Sequence, residues 1–345
     1  MASYTANAVG SASMSVPSKV RKNDTLTFNI TNTDVSTKYK GTIMSYTFPC
    51  DCTVKIEAKG ARGGYGNLYT YGLTDASRSG SGAYVYGTFA FAKGDQLLIL
   101  VGQAGTDAMT SSGSTRDGAT GAGGGGTFIV KRTSSGSTFT GSSTNGSNAY
   151  NGWIVTPLLI AAGGNGTRDN GYSGTGTIYG GLHTTGSQPS YSSSRTGGGF
   201  STAYGTNNSN NSSYGYGLSF LNGGLGSQYY YTRGGITSHA GFGGGGCNAD
   251  DGQGGGAGGY YGGTASASAC SYIASEATST GGASDNNAGE GIVVFTFLKV
   301  KGATARVKVG GSYRTSEAVY VKRNGVWVEA EGLYVKSGGT WHEST

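Results

Sequence analysis

The sequence predicts an all-β protein, and three features of its 345 residues carry that prediction. Short segments rich in β-branched and aromatic residues recur along the chain at strand length. The 68 glycines fall in short runs between these segments, without any Gly-X-Y period. The final part of the chain repeats a turn-containing sequence at a fixed spacing. Together these features indicate strands that alternate with glycine-rich segments and tight turns.

The predicted strands can bury a core. Residues 83–91 (AYVYGTFAF) alternate as a half-buried strand does, whereas residues 96–101 (QLLILV) form a continuous apolar run that is typical of a buried strand. Because a disordered chain has no reason to return repeatedly to such segments, we favour an ordered fold over a low-complexity tail. The predicted strands are residues 25–30, 83–91, 96–101, 157–162 and 291–298.

The glycine runs, such as residues 163–164 and 243–246, are interpreted as ordered structure. Each glycine loses more backbone freedom on folding than any other residue, so dense backbone hydrogen bonding must offset that cost. Polyproline-II helices leave their N–H and C=O groups unsatisfied, and glycine lets such helices approach closely enough to bond to one another. We therefore expect a lattice of glycine-rich polyproline-II helices.

Composition divides the chain into three expected regions. Residues 1–42 form a polar N-terminal β segment and a candidate attachment region, and residues 43–299 form a glycine-rich domain. Residues 300–345 lose the glycine runs and become charged. This last region contains three repeats spaced 14 residues apart, which begin at residues 307, 321 and 335.

Each C-terminal repeat places a Gly-Gly or Asn-Gly pair between β-forming residues, which predicts a two-residue type I′ hairpin. Tyr313, Trp327 and Trp341 recur at one register, so we expect them to share a face. They form either the core of the module, which we favour, or a platform for a ligand. Because so short a module buries little core alone, we expect it either to pack against its neighbour or to form a homo-oligomer.

Charge and hydropathy argue against several partners. Only 12% of the residues are charged, and the net charge of +6 is scattered, so no basic stripe follows a nucleic-acid backbone. The N-terminal residues lack the apolar core of a signal peptide, and no segment approaches the roughly 20 apolar residues of a membrane span. We therefore expect no nucleic-acid partner, no membrane insertion and synthesis in a cytoplasm.

Catalytic and metal-binding motifs are not visible, so we expect no enzyme and no cofactor. The three histidines, His183, His239 and His342, are far apart and lack the motifs of a hydrolase or a zinc protease. Clustered oxygen ligands at residues 250–251 and 285–287 are compatible with calcium, but solvated turns are favoured. The four cysteines lack zinc spacing, and a disulfide and free thiols are equally expected for Cys50, Cys52, Cys247 and Cys270.

The central region resembles the glycine-rich domain found in the ectodomain of the anaplastic lymphoma kinase receptor and in many bacteriophage tail proteins and tail-fibre adhesins. The resemblance covers about 250 residues and implies a β-sandwich-like scaffold joined to the glycine-rich lattice. The C-terminal Val-Lys-x-Gly-Gly-x-Trp repeats also look like phage tail modules. The blocks that carry the resemblance are YTFPC at 46–50, VKIEA at 54–58 with GARGG at 60–64, AYV at 83–85 with KGD at 93–95 and LVGQAG at 100–105, PLLIAAGG at 157–164, and GFGGGGC at 241–247 with GGGAGGYYGG at 254–263.

Residues 171–240 have the composition of an adaptable binding surface, with tyrosine anchors in a Ser, Asn and Gly setting. The expected function is that of a non-enzymatic bacteriophage virion protein of the tail fibre or baseplate periphery, which displays loops for host attachment. Its expected partners are other phage tail proteins and a host cell-surface glycan or protein. The alternative is a structural tail or capsid-surface component without receptor contact. The candidate receptor-binding residues are Tyr179, Tyr191, Tyr204, Tyr214, Tyr216, Tyr229, Tyr230, Tyr231, Arg233 and His239.

Overall fold

The chain folds as an all-β protein, which confirms the predicted fold class. Within the described residues, helical structure is limited to single 3-10 turns at Val35–Thr37 and Phe220–Asn222. The computed structural model describes residues 3–7, 20–30, 34–65, 79–107, 120–141, 150–167, 196–201, 215–231, 236–247, 254–264, 267–301, 306–309, 312–315, 319–329, 334–337 and 339–343.

The strands divide into a main body and a C-terminal module. Those of the main body are β1 (Ser3–Asn7), β2 (Thr25–Asn29), β3 (Met44–Thr47), β4 (Cys52–Lys59), β5 (Gly82–Phe91), β6 (Gln96–Leu100), β7 (Thr127–Thr138), β8 (Ile154–Ala161), β9 (Gln228–Tyr231), β10 (Ile236–His239), β11 (Tyr272–Ile273), β12 (Thr278–Asn287) and β13 (Ile292–Val300). Those of the module are β14 (Arg306–Val309), β15 (Ser312–Thr315), β16 (Tyr320–Arg323), β17 (Val326–Glu329), β18 (Tyr334–Ser337) and β19 (Thr340–Glu343).

Two sheets make up the main body. The larger has the order β1-β2-β13-β4-β5-β12, and the smaller has the order β11-β8-β7-β6-β3. All their pairings are antiparallel except that of β1 with β2. Since β2 is bonded to β13, the strand predicted in the N-terminal region is part of the larger sheet. The expected boundary at residue 42 stays a prediction.

One hydrophobic cluster joins the two sheets. Ile56 and Phe295 of the larger sheet belong to the same buried cluster as Leu97 and Leu159 of the smaller sheet. Along β4 the burial alternates strictly, because successive side chains of a strand point to opposite faces. The larger sheet therefore presents one face to this core.

The smaller sheet is buried on both faces. Leu97 and Ile99 of β6 join the cluster between the sheets, whereas Leu98 and Leu100 join a second cluster with Phe220 and Phe242. This arrangement explains the continuous apolar run predicted as a buried strand, since each side of β6 meets apolar neighbours.

Predicted and observed strands agree at all five positions, with boundary shifts of up to three residues. The strand predicted at 157–162, for example, is β8, which begins at Ile154. The polar strand β12 was not predicted, and it pairs with β5 at the edge of the larger sheet. Residues 285–287, considered as a solvated turn or calcium ligand, lie at the end of this strand, so the turn interpretation was wrong.

Five strands of the two sheets run directly into glycine-rich segments that are not strands. Residues 60–65 follow β4, 101–107 follow β6 and 162–167 follow β8, while 79–81 precede β5 and 120–126 precede β7. The glycine segments thus continue the direction of the sheets. Residues 240–247 and 254–259 bond to the same group of segments.

The backbone bonds of residues 121–126 repeat every three residues. Residues three apart donate to the same neighbouring segment: 121 and 124 to residues 164–167, 122 and 125 to residues 103–106, and 123 and 126 to residues 243–246. The donor and acceptor pairs, at 2.9–3.1 Å, are Gly121 to Thr167, Ala122 to Thr106, Gly123 to Gly246, Gly124 to Gly164, Gly125 to Gln103 and Gly126 to Gly243.

Glycine is required in these segments because the backbones touch. A Cβ added at Gly124 would lie 2.3 Å from the carbonyl oxygen of Arg62, and one added at Gly121 would lie 1.9 Å from that of Gly64. Both distances are far below van der Waals contact, and a carbonyl oxygen held by the neighbouring backbone cannot move aside as a side chain can. Any side chain here would force the segments apart.

The C-terminal strands form three separate two-stranded hairpins. Their registers pair Lys308 with Tyr313, Lys322 with Trp327 and Lys336 with Trp341. The type I′ turn predicted in the second hairpin is confirmed, since Asn324 has a φ of 48° and Gly325 a φ of 85°. Trp327 is 66% exposed, so it does not form a core within this chain, contrary to the interpretation we favoured.

Candidate functional site

The outer ends of the glycine segments form the candidate site, which we call the loop end. It consists of Tyr65, Asp107, Thr120, Thr167 and Gly254. Each of these residues borders a part of the chain that lies outside the described residues: 66–78, 108–119, 168–195 or 248–253. The site is therefore the place where the longest connections of this region leave and rejoin the lattice.

Hydrogen bonds hold these five ends together. The amide of Thr167 donates to the carbonyl of Gly64 at 3.1 Å, and the amide of Gly121 donates to Thr167 at 3.1 Å. A Cβ added at Gly254 would lie 1.9 Å from the carbonyl of Gly166, which places this segment against the one that ends at Thr167. Four connections thus start or finish within one small area.

An ion pair closes the loop end between two of the segments. Arg62 Nη1 lies 2.7 Å from Asp107 Oδ1, and the amide of Tyr65 donates to the same oxygen at 3.0 Å. The Arg62 guanidinium also lies over the Tyr65 ring, 4.3 Å from its centroid. Burial by itself lowers the pKa of Arg62, but the hydrogen bond and charge of Asp107 outweigh it and raise that pKa, so the pair is fully charged.

The hairpin of β9 and β10 joins the loop end through Thr106. The amide of Thr106 donates to the carbonyl of His239, and the amide of His239 donates to Thr106 Oγ1, both at 2.9 Å. This hairpin contains Tyr229, Tyr230 and Tyr231, and their backbones pair with β10. Three of the candidate receptor-binding residues therefore lie on a strand that starts beside the loop end.

His239 is buried, which corrects the expectation that it lies on an exposed loop. Only 9% of it is accessible, and its ring stacks on Tyr39 with centroids 5.4 Å apart. Its backbone is bonded on both sides to Thr106. The Ser-His-Ala sequence looks like a surface segment, but the covering residue, Tyr39, lies far away in the sequence.

The other candidate residues are only partly described. Tyr216 is half-buried, next to Gly215, whose backbone bridges to that of Cys247. The backbones of Tyr229, Tyr230 and Tyr231 are described as part of β9. Those outside the described residues are Tyr179, Tyr191, Tyr204, Tyr214 and Arg233.

Sequence reasoning missed the residues that brace the loop end. Arg62 was recognised only as part of a glycine-rich block, and Asp107 was not singled out. Its only signal is a charged residue directly after the glycine segment 101–107, in a chain with few charges. Such a signal identifies one partner of an ion pair but not the other.

The described residues contain no metal-ligand cluster of three or more His, Cys, Asp or Glu side chains. Residues 250–251, considered for calcium, lie outside them. All four thiols, of Cys50, Cys52, Cys247 and Cys270, are free. In the parts of the chain that are described, no helix is long and apolar enough to cross a membrane.

Comparison of the sequence with protein-family models and with curated protein sequences finds no match. The functional argument therefore depends on the loop end and on the features of the sequence itself.

Proposed function

We propose that the chain is a non-enzymatic bacteriophage virion protein of the tail fibre or baseplate periphery, whose loop end attaches to a glycan or protein on the host-cell surface. The observation that carries this proposal is the convergence of the ends of four long connections on one end of the glycine segments. Binding residues are disproportionately found on loops that a rigid scaffold positions. The protein would be made in the host cytoplasm and assembled with other tail proteins.

The proposed scaffold is a β-sandwich extended by a lattice of polyproline-II helices. The shared core between the two sheets supports the sandwich. The three-residue period of the bonds made by residues 121–126 supports the helices, because polyproline II has three residues per turn and directs its backbone groups outward. An isolated extended strand would bond with a two-residue period instead.

A lattice of this kind suits a display function. Each segment is fixed by several neighbours, and the absence of side chains lets the backbones lock together without rotamer freedom. Connections that start from so rigid a base lose less entropy on binding a partner, and their sequences can vary without changing the scaffold. The polar, tyrosine-rich composition of residues 171–240 supplies rings that stack on sugars and amide groups.

A second candidate function is that of a structural tail or capsid-surface component without receptor contact. It is favoured by the exposed Trp327 and Val326 of the C-terminal module, 66% and 67% accessible, which suit contact with another protein. In that case the loop end would be covered by a neighbour in the virion.

Immunogold labelling of intact phage particles distinguishes the two candidates. Antibodies raised against the folded protein should decorate the tail tip or baseplate rim, and their Fab fragments should block adsorption to cells. Labelling of the capsid surface, or labelling of the tail without any effect of Fab fragments on adsorption, would favour the structural component. Absence of the chain from purified particles would contradict both.

A further inference from the structure

The second C-terminal hairpin exposes apolar side chains on both faces. Tyr320, 55% exposed, and Lys322 lie two residues apart on one face, where Lys322 Nζ lies 5.9 Å from the centroid of the Trp327 ring. Val326 precedes Trp327 on the strand, so it lies on the opposite face and is 67% exposed. A monomeric soluble protein rarely leaves both sides of one hairpin apolar and open.

A two-stranded hairpin is marginal in water without a further strand or a covering surface. The three hairpins of this module are separate two-stranded sheets. Stability therefore requires a surface that covers both faces. A sugar ring stacked on Trp327 would cover one face only and would leave Val326 in water.

We propose that the surface which covers these hairpins is the same module of a second copy of the chain. The three hairpins repeat one register, in which a lysine pairs with an aromatic residue, so a surface that fits one hairpin fits all three. Identical copies provide such a surface at no cost in specificity, and closed symmetric association is the usual form of soluble oligomers.

The charge pattern agrees with association between copies. In the second hairpin the pair of Lys322 with Trp327 lies beside the pair of Tyr320 with Glu329, and the third hairpin repeats this order with Glu343. A basic and an acidic residue thus occupy neighbouring rungs. An antiparallel approach of two hairpins brings residues of opposite charge towards each other and avoids like-charge contacts.

Sedimentation velocity of the full chain tests the proposal across about a hundredfold range of concentration. We expect wild type to reach a multiple of 34.8 kDa. Trp327→Ser should weaken the association by more than about tenfold, whereas Trp327→Phe, which keeps a ring, should retain it. Leu298→Ser, which removes an exposed apolar side chain of β13 outside the module, should have no effect.

Val326→Lys gives an independent answer if Trp327→Ser unfolds its own hairpin, because it leaves the aromatic face intact and should also weaken association. A wild-type mass of 34.8 kDa at every concentration would overturn the proposal. So would unchanged association of both Trp327→Ser and Val326→Lys. Monomeric protein that binds a glycan through Trp327 would replace the second copy with a sugar.

Discussion

Arg62 and Asp107 join the outer ends of two glycine segments through an ion pair with Nη1 and Oδ1 2.7 Å apart. The same carboxylate accepts the amide of Tyr65. Because Arg62 also donates to the carbonyl of Gly63, one guanidinium and one carboxylate hold the last residues of both segments. The pair fixes the positions from which two connections leave the lattice.

Replacing Asp107 with Asn should loosen the loop end without disturbing the sheets. Asparagine keeps an oxygen for the Tyr65 amide but removes the charge opposite Arg62. We expect the free energy of unfolding to fall by about 1 kcal/mol, a small value because the Asp107 side chain is partly solvated. Chemical denaturation measures this change, and Asp51→Asn, at the exposed pair with Lys301, should produce none that is measurable. Equal stability of Asp107→Asn and wild type would show that the pair is not a brace.

Replacing Gly124 with Ala tests the close packing of the lattice. The added methyl group would lie 2.3 Å from the carbonyl oxygen of Arg62, so we expect destabilisation by about 1–3 kcal/mol or more, as in an overpacked core. Gly289→Ala is the matched control, because its added Cβ would lie no closer than 3.8 Å to another atom. Thermal melts of the two variants measure the difference. A melting temperature of Gly124→Ala equal to that of the control would contradict the packing described above.

The strands were predictable from the sequence because their apolar patterns are local, but the polar strand β12 was not. Its sequence, TSTGGASDNN, has no apolar side and contains two glycines, and it forms a strand because β5 offers a free edge. The sequence also indicated close glycine packing without showing which segments meet. Those pairings, like the burial of His239 beneath Tyr39, join residues that are far apart in the chain.

Replacing Gly325 with Val should unfold the second C-terminal hairpin. An added Cβ meets no atom within 4 Å, so the effect comes from the φ of 85° alone, which costs an L residue about 1–2 kcal/mol. Asn324→Gly, at a φ of 48°, should be nearly silent. Amide hydrogen exchange at Arg323 and Val326, which are paired across the turn, measures the change. Unaltered exchange in Gly325→Val would contradict the type I′ turn.

The four free thiols should differ in reactivity. Cys50 is half-buried, and the hydrogen bond with Cys52 lowers its pKa, although burial opposes this shift. Cys247 is fully buried, and burial raises its pKa to about 12. Because the thiolate is the reactive form, a thiol reagent at neutral pH should modify Cys50 first and Cys247 only after unfolding. Cys50→Ser should remove the fast phase and Cys270→Ser should keep it; a fast phase that survives in Cys50→Ser would refute the assignment.

Adsorption of purified, fluorescently labelled protein to bacteria tests the central claim most directly. The variant in which Tyr229, Tyr230 and Tyr231 are all replaced by Ser changes the hairpin beside the loop end, and Tyr86→Ser removes a tyrosine from the larger sheet as a control. We predict that wild type and Tyr86→Ser bind host cells, and that the triple variant binds more than about tenfold more weakly with an unchanged thermal melt. Equal binding by the triple variant and wild type, or binding by neither, would contradict attachment through this end of the protein.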